Sequence, residues 1–424
     1  IGVQPLASQL APPDVEALII ARIDTLTEAI RGVVHTASVL GREFEIRLLS
    51  QMLQNSYGIQ LQVVGAERAA IWQPLSELRY IFLHALVRDT AYRMMTHQRR
   101  QVLHRLAAEA IEQQFAADLT AHYGALGFHY EQASLSEPAS RYLTLAGHEA
   151  ARSYQNQSAI DLFSRALVLA DQAEQRIDLL LAREPVLDRV GQRDTQHQDL
   201  DEAKRLAAAL VDPHRQAEVA LRQANLVRLQ SRLSDALHYL DEAMSYVQQI
   251  GDGQAEARIW LLRGMVAFQN GDYAVASQHF NTAHSLATTN DAESIAAQAL
   301  YNLGNCALAN EDYASARQHY AQAMAIYQAT HQHRGEINCL LMSGVIDRRV
   351  GNLDEAMASY GRALDVAREI GWRHGESYLL GHLGNHAFDM GDWQPDAKIA
   401  TDNAEGFFWI VPAQVAGEWS LHLP

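Results

Sequence analysis

The second half of the chain repeats one pattern of hydrophobic and polar positions every forty residues, from about Ala217 to Trp393. In each repeat, an apolar stretch contains one glycine, and an alanine, an aromatic residue and a second alanine follow at helical spacing. The glycines are Gly264, Gly304, Gly344 and Gly384. The alanine–aromatic–alanine sets are Ala276, Phe280 and Ala283; Ala316, Tyr320 and Ala323; and Ala356, Tyr360 and Ala363. A fixed period of this size predicts a solenoid of stacked units.

Each unit is predicted to be a pair of antiparallel helices. The glycine lets the two helices approach closely where they cross, and the aromatic residue fills the space beside it. Short turns at Gly271-Asp272, Glu311-Asp312 and Gly351-Asn352 should end one helix and cap the next. Gly147, Ala159 and Phe163 show the same offsets earlier in the chain. We therefore expect about seven hairpins, three irregular and four regular.

The first part of the chain has a different pattern. Residues 1–12 resemble a linker in composition. Helices are predicted at about 14–26, 28–39 and 45–54 and from Ala85, with strand-like segments at 59–63 and 78–83. Three helices and two short strands favour a winged-helix-like domain. The fold class is therefore predicted as mostly all-α, with these domains: a linker, 1–12; a winged-helix-like domain, 13–115; irregular hairpins, 116–216; the regular array, 217–393; and an atypical tail, 394–424.

Several sequence strings resemble a known family. They are ALIIARIDTL (17–26), ASVLGREFEIRLL (37–49), YIFLHALVRDTAYRMM (80–95) and RRQVLHRLAAEAIE (99–112). In this order they are similar to the region that follows the nucleotide-binding domain in bacterial STAND-type signal-transduction ATPases. The resemblance implies a winged-helix domain that contacts a nucleotide-binding domain lying before Ile1. ATP or ADP and Mg²⁺ would then be cofactors of a full-length parent and not of this chain.

The forty-residue units are similar to the tetratricopeptide repeat. The signature of that family is matched at Trp260, Gly264, Ala276, Phe280 and Ala283, although its usual period is about 34 residues. Forty-residue versions with the string NLGN, found here at 302–305, resemble those of spindle-orientation adaptors. Those adaptors bind extended peptides in the groove lined by the first helices, so the resemblance implies a protein or peptide partner.

This implied groove supplies the candidate binding residues. Exposed positions are expected directly after each glycine, as at Met265 and Val345, and three residues before it, as at Leu261 and Leu341. Asparagine and glutamine can hydrogen-bond to a peptide backbone, and arginine can bind carboxylates. The alternative is that these side chains are merely solvated. The candidates are Asn305, Tyr301, Arg258, Gln298, Asn338, Arg348, Arg349 and Asn385.

The front domain has two further candidates. His84 follows a predicted strand, and the resemblance implies that it contacts the phosphates of ADP in the full-length parent. A structural role at the strand end is the alternative. Basic residues from Arg93 to Arg105, including His104, form either a face for anions or an ordinary solvated face. No set of ligands at familiar spacing predicts a metal site.

Charge and composition exclude several functions. The net charge is −16, of which −15 falls after residue 130, so we do not expect nucleic acid to bind through the array. The only lysines, Lys204 and Lys398, follow no phosphate-binding loop. This chain is therefore not expected to be an enzyme that hydrolyses ATP by such a loop. No apolar run is long enough for a membrane span, and two cysteines fit a reducing, cytoplasmic setting.

The tail departs from the repeat after Trp393. Its segment 406–412 is apolar and strand-like. It would dock on the last hairpin, contact another chain and so form an oligomer, or be unrelated to the array. The function favoured by the sequence is the sensor and interaction arm of a bacterial signalling ATPase. The alternatives are a stand-alone scaffold and an enzyme with an unrecognised site, associated with a cyclase or a nuclease.

Overall fold

The computed structural model describes residues 13–53, 59–389, 398–401 and 408–411. Twenty α-helices contain most of these residues, which confirms the predicted, mostly all-α fold. The chain divides into two compact units, Ile1–Leu210 and Val211–Pro424, and each unit is presented by itself below. The predicted linker 1–12 and most of the predicted tail lie outside the described residues. The predicted domain boundaries stay predictions.

The first unit opens with six helices and a small sheet. They are α1 (Pro13–Asp24), α2 (Glu28–Leu40), β1 (Glu43–Glu45), α3 (Ile46–Met52), α4 (Ile59–Arg68), β2 (Trp72–Pro74), β3 (Arg79–Phe82), α5 (Ala85–Arg93) and α6 (His97–Gln114). The strand β3 lies in the centre of the sheet and is antiparallel to both neighbours. Phe44 and Trp72 meet edge to face across it, 5.1 Å between ring centroids. These rings join the buried side chains of α2, α3 and α4 in one hydrophobic core.

The predicted strand at Ile59–Val63 is wrong, because this segment is the first half of α4. Ile59, Val63 and Ala66 are buried at helical spacing. A strand would have placed Leu61 on the same face as Ile59 and Val63, yet Leu61 is 80% exposed. The predicted third helix also began and ended differently, because Glu45 belongs to β1.

The rest of the first unit consists of longer helices. They are α7 (Tyr123–Gln132), α8 (Ser136–Arg152), α9 (Asn156–Leu169), α10 (Ala173–Arg189) and α11 (Arg193–Leu210). The helices α8 and α9 pack as a hairpin, as do α10 and α11. Gly147 of α8 lies against Phe163 of α9, so closely that an added Cβ would come within 2.7 Å of the ring. The offset predicted from the regular array therefore describes this earlier hairpin too.

The second unit contains the regular hairpins. Its helices are α12 (Pro213–Leu229), α13 (Leu233–Ile250), α14 (Gly253–Gln269), α15 (Tyr273–Thr289), α16 (Glu293–Ala309), α17 (Tyr313–Ala329), α18 (His333–Arg349), α19 (Leu353–Glu369) and α20 (Arg373–Asp389). Consecutive helices pack against each other throughout this series. Six complete hairpins thus run from α8 to α19 in the described part of the chain, and α20 is the first helix of another.

The close glycine–aromatic contact recurs in three hairpins of the second unit, α14–α15, α16–α17 and α18–α19, whereas α12–α13 has Ala224 and Leu240 at these positions. A Cβ added to Gly264 would lie 2.4 Å from Phe280, and one added to Gly304 or Gly344 would lie 2.5 Å from Tyr320 or Tyr360. Real Cβ atoms do not approach other atoms so closely, so only glycine permits this helix separation. The packing role predicted for these glycines is confirmed.

The turns between paired helices need one residue with positive φ. Gly271 and Gly351 take this role at φ +85° and +83°, and Glu311 takes it at +60°. Asp312 then caps α17 by accepting a hydrogen bond from the Ser315 amide at 3.1 Å. The predicted capping role is wrong for Asp272 and for Asn352, which make no side-chain cap. There backbone hydrogen bonds hold the turn, and Asp272 Oδ2 instead accepts a hydrogen bond from Asn270 Nδ2 at 2.6 Å.

Two short strands follow the last helix. They are β4 (Lys398–Thr401) and β5 (Phe408–Val411), paired antiparallel. The predicted strand-like character of 406–412 is confirmed for 408–411. The strand β5 also lies against α20, which agrees with the first of the three alternatives for this segment, docking on the last hairpin.

Candidate functional site

The first helices of the second unit, α12, α14, α16 and α18, lie side by side. Residues about forty apart therefore touch across neighbouring helices. Arg258 Nη1 lies 2.6 Å from Glu218 Oε2, and Arg228 Nη1 donates to Gln269 Oε1 at 3.3 Å. We define the first-helix face as the positions of Gln298, Asn302, Asn305 and Ala309 in α16 and their equivalents forty residues before and after.

Three amide side chains, those of Gln298, Asn302 and Asn305, follow one another at helical spacing along α16. Asn305 Nδ2 donates to Asn302 Oδ1 at 3.4 Å, whereas Asn302 Nδ2 donates to the backbone carbonyl of Gln298 at 2.8 Å. The hydroxyl of Tyr320 donates to Asn305 Oδ1 at 2.7 Å. Asn305 thus links the two helices of its hairpin, and a ligand would use only the remaining capacity of its amide. Asn338, the equivalent of Gln298 on α18, is exposed.

Tyr301 is packed more deeply than a surface contact would be. Its ring centroid lies 5.5 Å from that of Tyr320, and burial raises the pKa of its hydroxyl to about 12. Tyr301 therefore presents a neutral, partly covered phenol beside Asn305. The equivalent Leu261 and Leu341 are 3% and 5% exposed, so their predicted exposure is wrong. Both leucines belong to hydrophobic core clusters, so this position packs against neighbouring helices.

The candidate arginines differ in their surroundings. Arg258 shares Glu218 with Arg222, whose Nε donates to Glu218 Oε1 at 2.8 Å. Arg348 is half-buried and Arg349 is exposed at the end of α18. The structure thus brings Arg258, Gln298, Asn338 and Asn305 onto one face, with Arg348 and Arg349 at its α18 end. The side chain of Asn385 lies outside the described residues.

An aromatic and imidazole pair extends this face onto α20. Tyr378 is 52% exposed, and its ring lies 4.9 Å from that of His382. Burial and then the charge of Arg348 lower the pKa of His382. The sequence analysis missed both residues. The forty-residue offset would have found them, because Tyr378 is equivalent to Asn338 and His382 to Asn302.

His84 lies directly before α5 and is exposed. Its backbone carbonyl accepts a hydrogen bond from the Val87 amide at 3.0 Å, whereas its side chain makes no capping bond. The imidazole is therefore not used to begin the helix. Its proposed contact with nucleotide remains a prediction.

The basic stretch before and within α6 is not one solvated face. His104 and His129 are 1% and 3% exposed, and their Nδ1 atoms lie 2.9 Å apart. The other ring nitrogen of His104, Nε2, lies 2.9 Å from the Tyr92 hydroxyl. One proton must lie between the two Nδ1 atoms, so at most one of the two rings can be charged. Burial lowers the pKa of His104 to about 3 and that of His129 to about 4.

In the part of the chain that the structure describes, no group of three or more metal-ligating side chains comes together. No helix there is long and apolar enough to cross a membrane. Cys306 and Cys339 are buried, as predicted, and burial raises the pKa of Cys339 to about 12. That thiol is therefore protonated and unreactive at neutral pH.

Comparison with known proteins agrees with the repeat architecture. A family model of the tetratricopeptide repeat matches residues 295–369, which span α16 to α19. An uncharacterised protein of Rhizobium meliloti (strain 1021) is 29% identical over 163 residues, which are 37% of this chain and 16% of that protein. The chain thus spans only a small part of that curated relative.

Among solved structures, the chain is similar to a STAND protein with a tetratricopeptide repeat sensor from Pyrococcus horikoshii. The identity is 13% and the TM-score 0.55, over 90% of this chain and 57% of that one. A Rap protein in complex with Competence and Sporulation Factor aligns at 11% identity and a TM-score of 0.46, over 89% of this chain and 99% of that one. The first similarity places the fold among helical repeat proteins.

Proposed function

We propose that this chain binds a protein or peptide on the first-helix face and serves as the sensor and interaction arm of a bacterial signalling ATPase. The observation that carries the binding function is the row of amides on α16, flanked by arginines on α14 and α18. Amides can pair with both the N–H and the C=O of an extended chain. Such a face suits the capture of a peptide backbone.

The proposed link to an ATPase rests on the front domain. Helices α2 to α4 and the antiparallel sheet support a winged-helix assignment, and the similar Pyrococcus horikoshii protein is itself a STAND protein with a repeat sensor. In this proposal a nucleotide-binding domain of the full-length parent holds ATP or ADP and Mg²⁺, and ligand binding changes its affinity for the front domain. Such coupling requires that the ligand binds the two states with different affinity.

The proposed role of His84 has its own test. In the full-length parent, His84→Ala should lower the fraction of molecules that purify with ADP, because an imidazole contact to phosphate is lost. His97→Ala is a matched control, since His97 is also an exposed histidine at a helix start. Equal ADP content in the two variants would contradict the role of His84.

The binding function is tested by selecting peptides from a random display library on the whole 424-residue chain. The affinity of the selected peptides is then measured for the double variant Asn305→Ala/Arg348→Ala and for the control Arg362→Ala. Arg362 is an exposed arginine on the second helix α19. We expect the first variant to weaken binding about tenfold, since one amide contact and one charged contact are lost, and the control to change it less than twofold. Circular dichroism should show the same helical content in both. Unchanged peptide affinity in the double variant would refute the assignment of the binding site.

A further inference from the structure

The charges on the first-helix face are unlike those of the unit that carries it. Residues 211–424 have a net charge of −11, with 14 Lys+Arg against 25 Asp+Glu. Beyond the first five residues of each helix, where Glu256, Glu293 and Glu336 lie, the helices α14, α16 and α18 hold four arginines and one acidic residue, Asp347, in residues 258–269, 298–309 and 338–349. Asp347 is 4% exposed, and Arg317 of α17 contacts its carboxylate at 2.5 Å. No unpaired acidic group thus remains in these stretches.

The positive groups stand at the two ends of the face. Arg258 lies on α14 and Arg349 on α18, and Arg348 lies next to Arg349 at the position equivalent to Leu308, just outside the defined face. The α16 helix between them contributes only amides and small or apolar side chains in residues 298–309, apart from Tyr301. We propose that this face binds an extended peptide with acidic side chains at two separate positions. The inference rests on the proposed function and specifies the chemistry of its ligand.

The helix spacing fixes how far apart the acidic positions should be. Packed helices lie about 8–10 Å apart, so α14 and α18 are separated by roughly 20 Å. An extended chain advances about 3.3 Å per residue. Arg349 also lies eleven residues further along its helix than Asn338, the equivalent of Arg258, which adds about 16 Å along the helix axis. The two carboxylates are therefore expected about eight residues apart, with the α16 amides holding the backbone between them.

Glu218 already pairs with Arg258, the arginine at the α14 end of the face. Its two carboxylate oxygens contact Arg258 at 2.6 Å and Arg222 at 2.8 Å. The Arg258 side chain is still 45% exposed, so a ligand carboxylate can reach it in competition with Glu218. Removing the charge of Glu218 while keeping its size, as in Glu218→Gln, should strengthen the binding of an acidic ligand.

At the α18 end of the face, the pKa of His382 can report the binding of an acidic ligand. The charge of Arg348 contributes to the lowered pKa of His382, and Tyr378 covers one side of that ring. A carboxylate bound near Arg348 would offset its charge. The pKa of His382 should therefore rise when an acidic peptide binds, and a neutral peptide should leave it unchanged.

The test uses the whole chain and four fluorescein-labelled peptides in one serine and asparagine background. The first has two glutamates about eight positions apart, the second has adjacent glutamates, the third replaces the spaced glutamates with glutamines, and the fourth replaces them with lysines. Fluorescence anisotropy should show the spaced glutamate peptide binding about fivefold or more tightly than the other three. Raising the salt from about 50 mM to about 300 mM should reduce that preference, since screening weakens exposed ion pairs.

Three variants assign the effect to residues. Arg349→Gln should weaken the spaced glutamate peptide about fivefold, and Glu218→Gln should strengthen it severalfold. Arg362→Gln, on the second helix α19, should have no effect. The inference is overturned if all four peptides bind with equal affinity, or if none of them binds. Equal binding of spaced and adjacent glutamates would also overturn it, as would an effect of Arg362→Gln as large as that of Arg349→Gln.

The two proposals fail separately. If library-selected peptides are neutral or basic but still depend on Asn305 and Arg348, the face binds peptides and only its acidic specificity is refuted. If selected peptides do not depend on those residues, whatever their charge, the proposed function itself is refuted.

Discussion

Replacing Gly304 by alanine tests the packing that determines the array. The added Cβ would lie 2.5 Å from Cε1 and 2.7 Å from Cδ1 of Tyr320. Tyr320 is fully buried, and its hydroxyl donates to Asn305, so the ring cannot move without breaking that hydrogen bond. Overpacking of this kind costs about 1–3 kcal/mol, and the lost hydrogen bond costs about 1 kcal/mol.

The expected result is a net destabilisation of about 2 kcal/mol, because alanine recovers about 1 kcal/mol of helix propensity. Gly361→Ala is the matched control. Gly361 is also inside a helix, α19, but a Cβ there meets no atom within 4 Å. That variant should stabilise the protein by about 0.5–1 kcal/mol.

Hydrogen exchange is the appropriate assay, since repeat arrays open locally. In Gly304→Ala, the amides of α16 and α17 should exchange about 30-fold faster, which corresponds to 2 kcal/mol. The amides of α8 and α9 in the first unit should be unaffected. If Gly304→Ala and Gly361→Ala give the same exchange rates in α16, the argument from close packing is wrong.

Two further predictions concern buried polar groups. The folded protein holds His104 and His129 neutral with lowered pKa values, whereas in the unfolded chain they take up protons below pH 6.5. The contribution of the two histidines to the free energy of unfolding is therefore fully present above about pH 6.5 and should fall by on the order of 2 kcal/mol per histidine by about pH 5. Urea unfolding across this pH range checks the prediction. A variant with both histidines replaced by glutamine that keeps the same dependence of unfolding free energy on pH would contradict it. Arg317→Ala leaves the buried Asp347 carboxylate without that partner and should cost about 2–3 kcal/mol, whereas Arg152→Ala, from the exposed pair with Glu149, should cost less than about 1 kcal/mol. Equal losses of unfolding free energy in the two arginine variants would refute this reasoning.

The sequence alone predicted the hairpins because their period determines which side chains meet. Gly304 and Tyr320 are sixteen residues apart in the sequence, and the repeat of this offset identified both the contact and its geometry. In contrast, Ile59–Val63 was too short to distinguish a strand from a helix, since five alternating residues fit either pattern. Burial of Ala66, one turn further, decides for the helix.

The candidate site was predicted less completely. The positions of Asn305 and Gln298 followed from the repeat, but the bond from Tyr320 to Asn305 depends on side-chain conformations that no periodicity encodes. The pair Glu218–Arg258 was recognisable, because opposite charges stand one forty-residue period apart in the repeat. The contact of His104 with His129 was not, since these residues lie on helices outside the regular array.

The central claim is that the first helices of the second unit bind the ligand. Hydrogen exchange of the whole chain with and without a library-selected peptide tests it directly. The account predicts slower exchange at the side of α14, α16 and α18 that carries Arg258, Asn305 and Arg349, with little change in α15 and α17. Protection confined to α15 and α17, or to the first unit, would contradict it.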